Sequence, residues 1–187
     1  MSNRFEARFS AVGGQGIILA GGILAEAAAV FEGKHAVQSP TYTAQVRGGP
    51  TKIDVIFDDE EIIYPRTTAI DFFLALAQNS YNQFAKNLKV GCQVLVDPNL
   101  VHTVDEEKYK IHRIPIVEIT KREMGRMVFT SAVSLGAMIE LTKCVPVESV
   151  LAAIRKKVPN GTEEINIRAF NIGRRAVENF VYEKCEI

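Results

Sequence analysis

Four residues near the N-terminus have the composition of an anion-binding turn. Gly13, Gly14, Gln15 and Gly16 separate a stretch of alternating apolar residues, typical of a strand, from an apolar helical stretch that begins at Ile17. At a strand–turn–helix junction, glycines leave backbone N–H groups free to approach an anion, and the helix dipole favours negative charge there. Gln15 adds a side chain that can hydrogen-bond a phosphate, an amide or a partner's loop. The alternative is purely conformational, because the same glycines suit a tight turn with positive φ and close helix packing.

The turn matches neither standard nucleotide motif. A dinucleotide fingerprint counted from Gly14 requires glycine or alanine where Leu19 stands. The acidic residue expected about twenty positions later is also missing, since the next predicted strand ends in Val37-Gln38-Ser39. No Gly-Lys-Ser/Thr follows Gly16 at the spacing of a triphosphate-binding loop. A free-standing nucleotide-binding enzyme is therefore the alternative hypothesis rather than the leading one.

A second segment whose residues could bind a ligand is the stretch 38–51, which reads Q-S-P-T-Y-T-A-Q-V-R-G-G-P-T. Gly48 and Gly49 follow Arg47, so a ligand or another backbone can approach its guanidinium, whose planar fork suits carboxylate, phosphate or pyrophosphate. Prolines and glycines predict a shaped loop, and such loops often carry function. The alternative is structural: Arg47 pairs with Asp54 or with the acidic turn after the next strand, and only holds the hairpin.

Composition restricts the class of protein. The 187 residues carry 22 basic and 22 acidic side chains, and this zero net charge argues against a dedicated nucleic-acid binder. The three cysteines, Cys92, Cys144 and Cys185, are too scattered for a disulfide framework or a C-x-x-C site. They are also too few for an iron–sulfur cluster, so we expect no metal in this chain and a reducing compartment. No targeting or membrane-spanning segment is visible, and we expect a cytoplasmic protein.

The elements that must position these residues predict an α/β fold. Strands are predicted at 5–11, 35–38, 51–57, 70–77, 93–98 and 111–117, and helices at 17–31, 80–90, 129–141, 146–158 and 163–182. Gly21 and Gly22 lie inside the first helix, which indicates close packing against another element of the chain or against a partner. The length suits a single domain, 1–187. The prediction is a three-layer sandwich with a mostly parallel sheet and a helical C-terminal third.

Seven segments spread along the chain carry a family resemblance. They are G-G-Q-G-I-I-L-A-G at 13–21, S-P-T-Y-T-A-Q-V-R-G-G-P at 39–50, D-D-E-E-I-I-Y-P at 58–65, D-F-F-L-A-L-A-Q at 71–78, L-V-D-P at 95–98, 134–137 and 166–173. Together they resemble the gamma subunit of 2-oxoacid:ferredoxin (acceptor) oxidoreductases, and most closely the 2-oxoglutarate branch of that family. The similarity covers essentially the whole chain.

The resemblance implies a subunit of an enzyme that oxidatively decarboxylates 2-oxoglutarate with coenzyme A and passes two electrons to ferredoxin or a similar acceptor. Alpha, beta and delta subunits would be its partners. Thiamine diphosphate, magnesium and iron–sulfur clusters would lie in those partners, and the isolated chain is expected to be inactive. Neither a nucleic acid nor a membrane is implied as a partner. Equivalent subunits of pyruvate, branched-chain 2-oxoacid or indolepyruvate oxidoreductases are the alternatives within the family.

The resemblance also implies roles for the two motifs. Gly13, Gly14, Gln15 and Gly16 would line a phosphate-accepting or partner-facing turn. Arg47, Gly48 and Gly49 would face the shared active-site region, where this subunit helps to close the coenzyme A site. No residue is carried over as catalytic. A pure assembly role, in which the Arg47 loop touches only protein, is the remaining alternative.

Overall fold

Six strands form one mixed sheet in the computed structural model, which describes residues 3–12, 16–41 and 49–182. The strand order is β2-β3-β1-β4-β5-β6. β3 runs antiparallel to β1 and β2, whereas β4, β5 and β6 run parallel to β1 and to one another. The prediction of a mostly parallel sheet is confirmed. The strands are β1 (Phe5–Val12), β2 (His35–Thr41), β3 (Pro50–Asp58), β4 (Ile70–Ala75), β5 (Leu88–Val96) and β6 (Lys110–Arg113).

Helices cover both faces of this sheet, as a three-layer sandwich requires. α1 and α3 to α6 pack on one face with the inward residues of β1, β3 and β4, and α2 packs on the other with β4 and β5. α1 and α6 continue as short π-helices to Phe31 and Tyr182. No helix within the described ranges has the length and apolarity needed to cross a bilayer. The helices are α1 (Ile17–Glu26), α2 (Gln78–Phe84), α3 (Ile116–Met124), α4 (Thr130–Thr142), α5 (Val147–Lys157) and α6 (Glu163–Val177).

Several element boundaries differ from the predictions. β2 extends to Thr41, so the first part of the predicted loop is strand. Pro40 is tolerated there because β2 is an edge strand, where a missing N–H leaves no ladder bond unmade. The helix predicted over 80–90 ends at Phe84, because Asn87 adopts a positive φ of 61° and turns the chain into β5.

α3 was not predicted, because its N-terminus is capped by a distant residue. The strand predicted over 111–117 ends at Arg113, and α3 begins at Ile116. The fully buried Asp97 carboxylate, at the end of β5, accepts hydrogen bonds from the backbone N–H of Val117 at 2.8 Å and of Asn99 at 3.0 Å. Burial raises the pKa of Asp97, partly offset by these two bonds. A cap supplied from twenty residues away leaves no local signal.

The glycines of α1 are used for packing inside the chain. A Cβ at Gly21 would lie 2.8 Å from the side chain of Ile53 on β3. A Cβ at Gly22 would lie 2.9 Å from Cε of Lys157 on α5. α1 therefore sits closely between the sheet and α5, which confirms close packing within the chain.

The closest helix contact is a reciprocal glycine crossing between α4 and α6. A Cβ at Gly136 would lie 1.9 Å from the carbonyl oxygen of Phe170, and a Cβ at Gly173 would lie 1.9 Å from that of Val133. Backbone thus meets backbone in both directions, and no side chain separates the two helices at this point. Only glycine at both positions permits this approach.

Replacement of Gly136 by Ala should lower the free energy of unfolding by about 3 kcal/mol or more, because the methyl group must displace the backbone of α6. Urea unfolding of the full chain measures the loss. Gly91→Ala is the control: it has φ of +76° and no atom within 4 Å of the added Cβ. The free energy of unfolding of that variant should fall only by the cost of holding an alanine in the left-handed conformation, about 1–2 kcal/mol. Equal losses in the two variants would contradict the crossing.

Candidate functional site

The two motifs singled out in the sequence leave the sheet at the same edge. Val12, the last residue of β1, is paired with Pro50, the first residue of β3. Thr41, the last residue of β2, is paired with Lys52 of β3. Paired residues of antiparallel strands lie about 4.5–5.5 Å apart at their Cα atoms. The described residues that flank the glycine turn and the Arg47 loop are therefore close neighbours.

Gly16 and Gly49 are the predicted binding residues that the structure describes. Gly49 is buried, and its carbonyl oxygen accepts a hydrogen bond of 3.5 Å from the Thr51 hydroxyl. The other predicted binding residues lie outside the described ranges: Gly13, Gly14, Gln15, Arg47 and Gly48.

Gly16 forms the entrance to α1. Its φ of 70° and ψ of 13° are left-handed, and its carbonyl oxygen accepts the N–H groups of Leu19 at 3.0 Å and Ala20 at 3.3 Å. A Cβ here would lie 3.1 Å from Cβ and Oγ of Ser131 on α4. The conformational role predicted for this glycine is confirmed. No described side chain caps α1 at Gly16, which leaves the first-turn N–H groups suited to an anion.

The edge beside Gly16 is a topological switch point of the sheet. The chain leaves β1 toward α1 on one face, and it leaves the neighbouring parallel strand β4 toward α2 on the other face. The two strand ends are joined by the N–H of Leu76, which donates to the carbonyl oxygen of Ser10 at 3.0 Å. Ligands of open α/β sheets bind in the crevice outside such carboxyl ends. The topology therefore favours a binding site at this edge.

α4 contributes hydroxyl groups behind this crevice. Ser131, in its first turn, is buried against Gly16. Ser134 is fully buried one turn later, and its Oγ has no hydrogen-bond partner among the residues that the structure describes. Met127 and Val128, just before α4, are exposed apolar side chains. Phe129 occupies the N-cap position of α4, and the Thr130 hydroxyl donates backward to the Met127 carbonyl oxygen.

A buried ion pair lies on the sheet face that carries α2. Arg8 Nε and Nη2 donate to the two carboxylate oxygens of Asp54 at 2.6 and 2.9 Å. Arg8 Nη1 also donates to the backbone oxygens of Phe84 at 2.9 Å and Lys86 at 3.0 Å. The Thr67 hydroxyl accepts from Arg8 Nη2 and donates to Asp54. Arg8 is 6% exposed, and its Nε, Nη1 and Nη2 groups all donate hydrogen bonds.

Asp54 stays ionised because its cations outweigh its burial. Burial by itself raises the pKa of Asp54, but the hydrogen bonds and charges of Arg8 and Lys52 hold it below its ordinary value. The Asp54 carboxylate, which the structural alternative paired with Arg47, therefore forms ion pairs with Arg8 and Lys52.

A polar groove of about 280 Å³ opens between β2 and the segment that follows β3. Ser39 and Thr41 of β2 line one side, and Arg66 lies on the other. Lys52 and the Arg8–Asp54 pair form its floor. The cations exceed the carboxylate in this lining, so the groove suits an anionic group near the end of β2.

The sequence reasoning missed the charged residues of β1. Alternation predicted a half-buried strand, with Glu6 and Arg8 on its polar side. Instead Glu6 is 1% exposed and Ser10 is fully buried, because α2 and the segment after β3 cover that face. The only local signal was the unusual run of opposite charges at Arg4, Glu6 and Arg8, which share one face of the strand.

The remaining titratable residues give no site of their own. His35 lies on the exposed edge strand, His102 lies in an exposed loop, and burial lowers the pKa of His112 on β6. Burial raises the pKa of the Cys92 thiol to about 12, which keeps it protonated at neutral pH. Across 3–12, 16–41 and 49–182, no three His, Cys, Asp or Glu side chains are grouped to hold a metal ion.

Comparison with known proteins identifies related chains. Residues 6–176 match the family model described as pyruvate ferredoxin/flavodoxin oxidoreductase. The 2-oxoglutarate synthase subunit KorC of Methanocaldococcus jannaschii is 41% identical over 172 residues, which is 91% of this chain and 92% of that protein. The ketoisovalerate oxidoreductase subunit VorA of Methanothermobacter marburgensis is 31% identical over 134 residues, 72% of this chain but 28% of that protein.

Solved structures show the same fold. The gamma subunit of a keto/oxoacid ferredoxin oxidoreductase from Geobacter sulfurreducens superposes with a TM-score of 0.85 at 38% identity, covering 95% of this chain and 98% of that one. The 2-oxoglutarate:ferredoxin oxidoreductase of Magnetococcus marinus, solved with 2-oxoglutarate, coenzyme A and succinyl-CoA bound, superposes with a TM-score of 0.82 at 25% identity. The match covers 94% of this chain and 31% of that longer one.

Replacement of Asp54 by Asn should lower the free energy of unfolding at pH 6 by about 3–5 kcal/mol, because Arg8 stays buried without its full counter-charge. The pKa of Asp54 is lower in the folded than in the unfolded state, where it is about 3.9. Its contribution is therefore complete above that pH and is lost as the pH falls through the lowered folded value.

Urea unfolding between pH 6 and pH 2 tests this pH dependence, which should be weaker in the variant. Asp105→Asn is the control, since Asp105 pairs with Lys108 on the surface and should cost less than about 1 kcal/mol. Equal losses of unfolding free energy in the two variants would contradict the assignment. An Asp54→Asn variant whose unfolding free energy falls between pH 6 and pH 2 as steeply as that of the unmodified chain would also contradict it.

Proposed function

Because this chain belongs to the pyruvate ferredoxin/flavodoxin oxidoreductase family, we propose that it is the gamma-type subunit of a 2-oxoglutarate:ferredoxin (acceptor) oxidoreductase. The complex converts 2-oxoglutarate and coenzyme A to succinyl-CoA and carbon dioxide. Two electrons pass to ferredoxin or a similar acceptor. The observation that carries this proposal is that the described residues flanking both sequence motifs lie at the switch-point edge, in a chain that matches KorC proteins along nearly its whole length.

The choice of 2-oxoglutarate rests on the extent and identity of the matches. The relatives named 2-oxoglutarate synthase subunits, from several archaea, are 32–41% identical to this chain and cover 91% or more of it. A pyruvate synthase subunit is 30% identical over 89% of this chain. The sequence of residues 38–50, Q-S-P-T-Y-T-A-Q-V-R-G-G-P, resembles that of the 2-oxoglutarate branch of the family.

Coenzyme A is the ligand that we assign to the edge. Its diphosphate and 3′-phosphate are anions that backbone N–H groups at the entrance to α1 and the Arg47 guanidinium can bind. Gly13, Gly14, Gln15 and Gly16 would form one side, and Arg47, Gly48 and Gly49 the other. When bound, coenzyme A supplies the thiol that accepts the acyl group. Lys52 and Arg66 add positive charge at the end of β2, which favours the approach of such an anion.

The rest of the chemistry belongs to partner subunits. Thiamine diphosphate with magnesium, and iron–sulfur clusters, would be held by alpha, beta and delta subunits, and the isolated chain would be inactive. Residues 1–187 would act as one domain of that assembly, in the reducing cytoplasm.

The reconstituted complex should oxidise 2-oxoglutarate with a kcat/KM at least about 100-fold above those for pyruvate and 2-oxoisovalerate. A site that binds the second carboxylate of 2-oxoglutarate contains a group that stays unpaired when pyruvate or 2-oxoisovalerate, which lack that carboxylate, is bound. Reduction of ferredoxin or a viologen dye, with coenzyme A present, measures the rates. A preference for pyruvate or a branched-chain 2-oxoacid would assign the chain to the equivalent subunit of that enzyme instead.

Replacement of Arg47 by Ala should raise the KM for coenzyme A in the assembled complex by about 10- to 100-fold, the effect of losing a charged hydrogen bond. The KM for 2-oxoglutarate and the amount of complex should change little. Arg155→Ala, at an exposed arginine of α5, is the matched control and should leave both KM values unchanged. An unchanged KM for coenzyme A together with weaker assembly would favour the pure assembly role.

A further inference from the structure

The polar groove beside β2 holds more positive charge than its own carboxylate neutralises. Among the described residues that line it, Arg8, Lys52 and Arg66 are cations and Asp54 is the anion, which leaves an excess of two positive charges. Asp54 stays ionised, because Arg8 and Lys52 hold its pKa below the ordinary value. A phosphate monoester carries a charge of about −2 at neutral pH, so it matches this excess better than a carboxylate or a phosphodiester, each with a single charge.

Arg66 and Lys52 keep hydrogen-bond donors free for a ligand, whereas Arg8 does not. The Arg8 guanidinium donates once from Nε, twice from Nη1 and twice from Nη2, so each of its N–H groups is used inside the chain. Lys52 Nζ donates to the Asp54 carboxylate, and its ammonium has further N–H groups. The exposed Arg66 side chain forms no hydrogen bond or ion pair with any residue that the structure describes.

The backbone that carries Arg66 is held in place by β1. Arg66 lies in the crossover from β3 to β4, residues 59–69, and its backbone oxygen accepts a hydrogen bond of 3.1 Å from Arg4 Nη2. The hydroxyl of the next residue, Thr67, accepts from Arg8 at 2.9 Å and donates to Asp54 at 3.1 Å. The chain is therefore fixed at Arg66 and directly after it, which reduces the entropy lost when the side chain binds a ligand.

β2 supplies uncharged donors on the other wall of the groove. Ser39 is paired with Asp54 and Thr41 with Lys52, so the two β2 side chains lie on the same face of the sheet as the groove floor. Both residues are exposed, and neither hydroxyl is hydrogen-bonded within residues 3–12, 16–41 and 49–182. Cations and hydroxyls on facing walls suit a group with several terminal oxygens, as a phosphate monoester has.

The groove extends to the edge of the sheet at which we place coenzyme A. Lys52, on its floor, is paired with Ser10 of β1 as well as with Thr41 at the end of β2. Ser10 precedes Val12, the last residue of β1, by about 7 Å of strand. In coenzyme A the diphosphate and the 3′-phosphate are attached to the same ribose. A diphosphate bound at the strand ends therefore leaves the 3′-phosphate, a monoester, near the groove.

We propose that this groove binds the 3′-phosphate of coenzyme A and that Arg66 is its specificity-determining residue. Arg66 and Lys52 donate to the terminal phosphate oxygens, and the hydroxyls of Ser39 and Thr41 donate from the opposite wall. The complex thereby distinguishes coenzyme A from dephospho-coenzyme A, which lacks only this phosphate. This inference rests on the proposed function.

The first test measures the KM values for coenzyme A and dephospho-coenzyme A in the assembled complex at saturating 2-oxoglutarate. The unmodified complex should have a KM for coenzyme A at least about 10-fold below that for dephospho-coenzyme A, and Arg66→Ala should raise the KM for coenzyme A alone by about 10-fold, the effect of losing a charged hydrogen bond. The kcat should not change. Arg155→Ala, at an exposed arginine of α5, is the matched control and should leave both KM values unchanged.

The second test measures binding without turnover. In calorimetric titration of the complex, Arg66→Ala should weaken adenosine 3′,5′-bisphosphate about 10-fold and leave adenosine 5′-phosphate unaffected, and Arg66→Lys should restore part of the loss. Because the Arg66 side chain has no partner among the described residues, the unfolding midpoint should not change.

The outcomes separate this inference from the proposed function. An active complex in which Arg66→Ala keeps the full preference for coenzyme A over dephospho-coenzyme A would show the inference to be wrong and leave the proposed function standing. Equal increases in both KM values, or no preference in the unmodified complex, would contradict it as well. If the unmodified complex did not convert 2-oxoglutarate with coenzyme A, the proposed function itself would be wrong.

Discussion

The Arg8 guanidinium joins four parts of the molecule on the second face of the sheet. It extends from β1 to the Asp54 carboxylate on β3, to Thr67 in the crossover and to the backbone oxygens at the end of α2. A buried arginine is stable only when its donors are bonded, so the positions of these elements depend on one another. This interaction sets the floor of the groove and the path of the crossover toward β4.

The other face depends on the meeting of α4 and α6 at Gly136 and Gly173. Because two backbones touch there, the helices cannot slide or separate without losing packing along their length. The same helix α4 places Ser131 against Gly16, at the entrance to α1. A packing constraint in the C-terminal third therefore determines the back wall of the crevice at the switch-point edge.

β1 joins two regions of the molecule that lie at its opposite ends. Its carboxyl end leads into the glycine turn, and Arg4, just before its amino end, donates to the backbone oxygen of Tyr64 in the crossover from β3 to β4. Eight residues of strand separate these ends by about 25 Å. The same central strand therefore orders the crossover and leads to the edge at which we propose coenzyme A binding.

Local sequence patterns by themselves determined the α/β class, β1, the buried strands β4 and β5, and the position of the glycine turn. Each of these follows from the periodicity or composition of a short stretch. Tertiary structure alone decided that the polar side of β1 is buried, that Asp97 caps α3, and that Gly136 and Gly173 touch across two helices. Arg8 and Asp54 are 46 residues apart in the chain. Partners at such separations are brought together by topology, and no local periodicity records them.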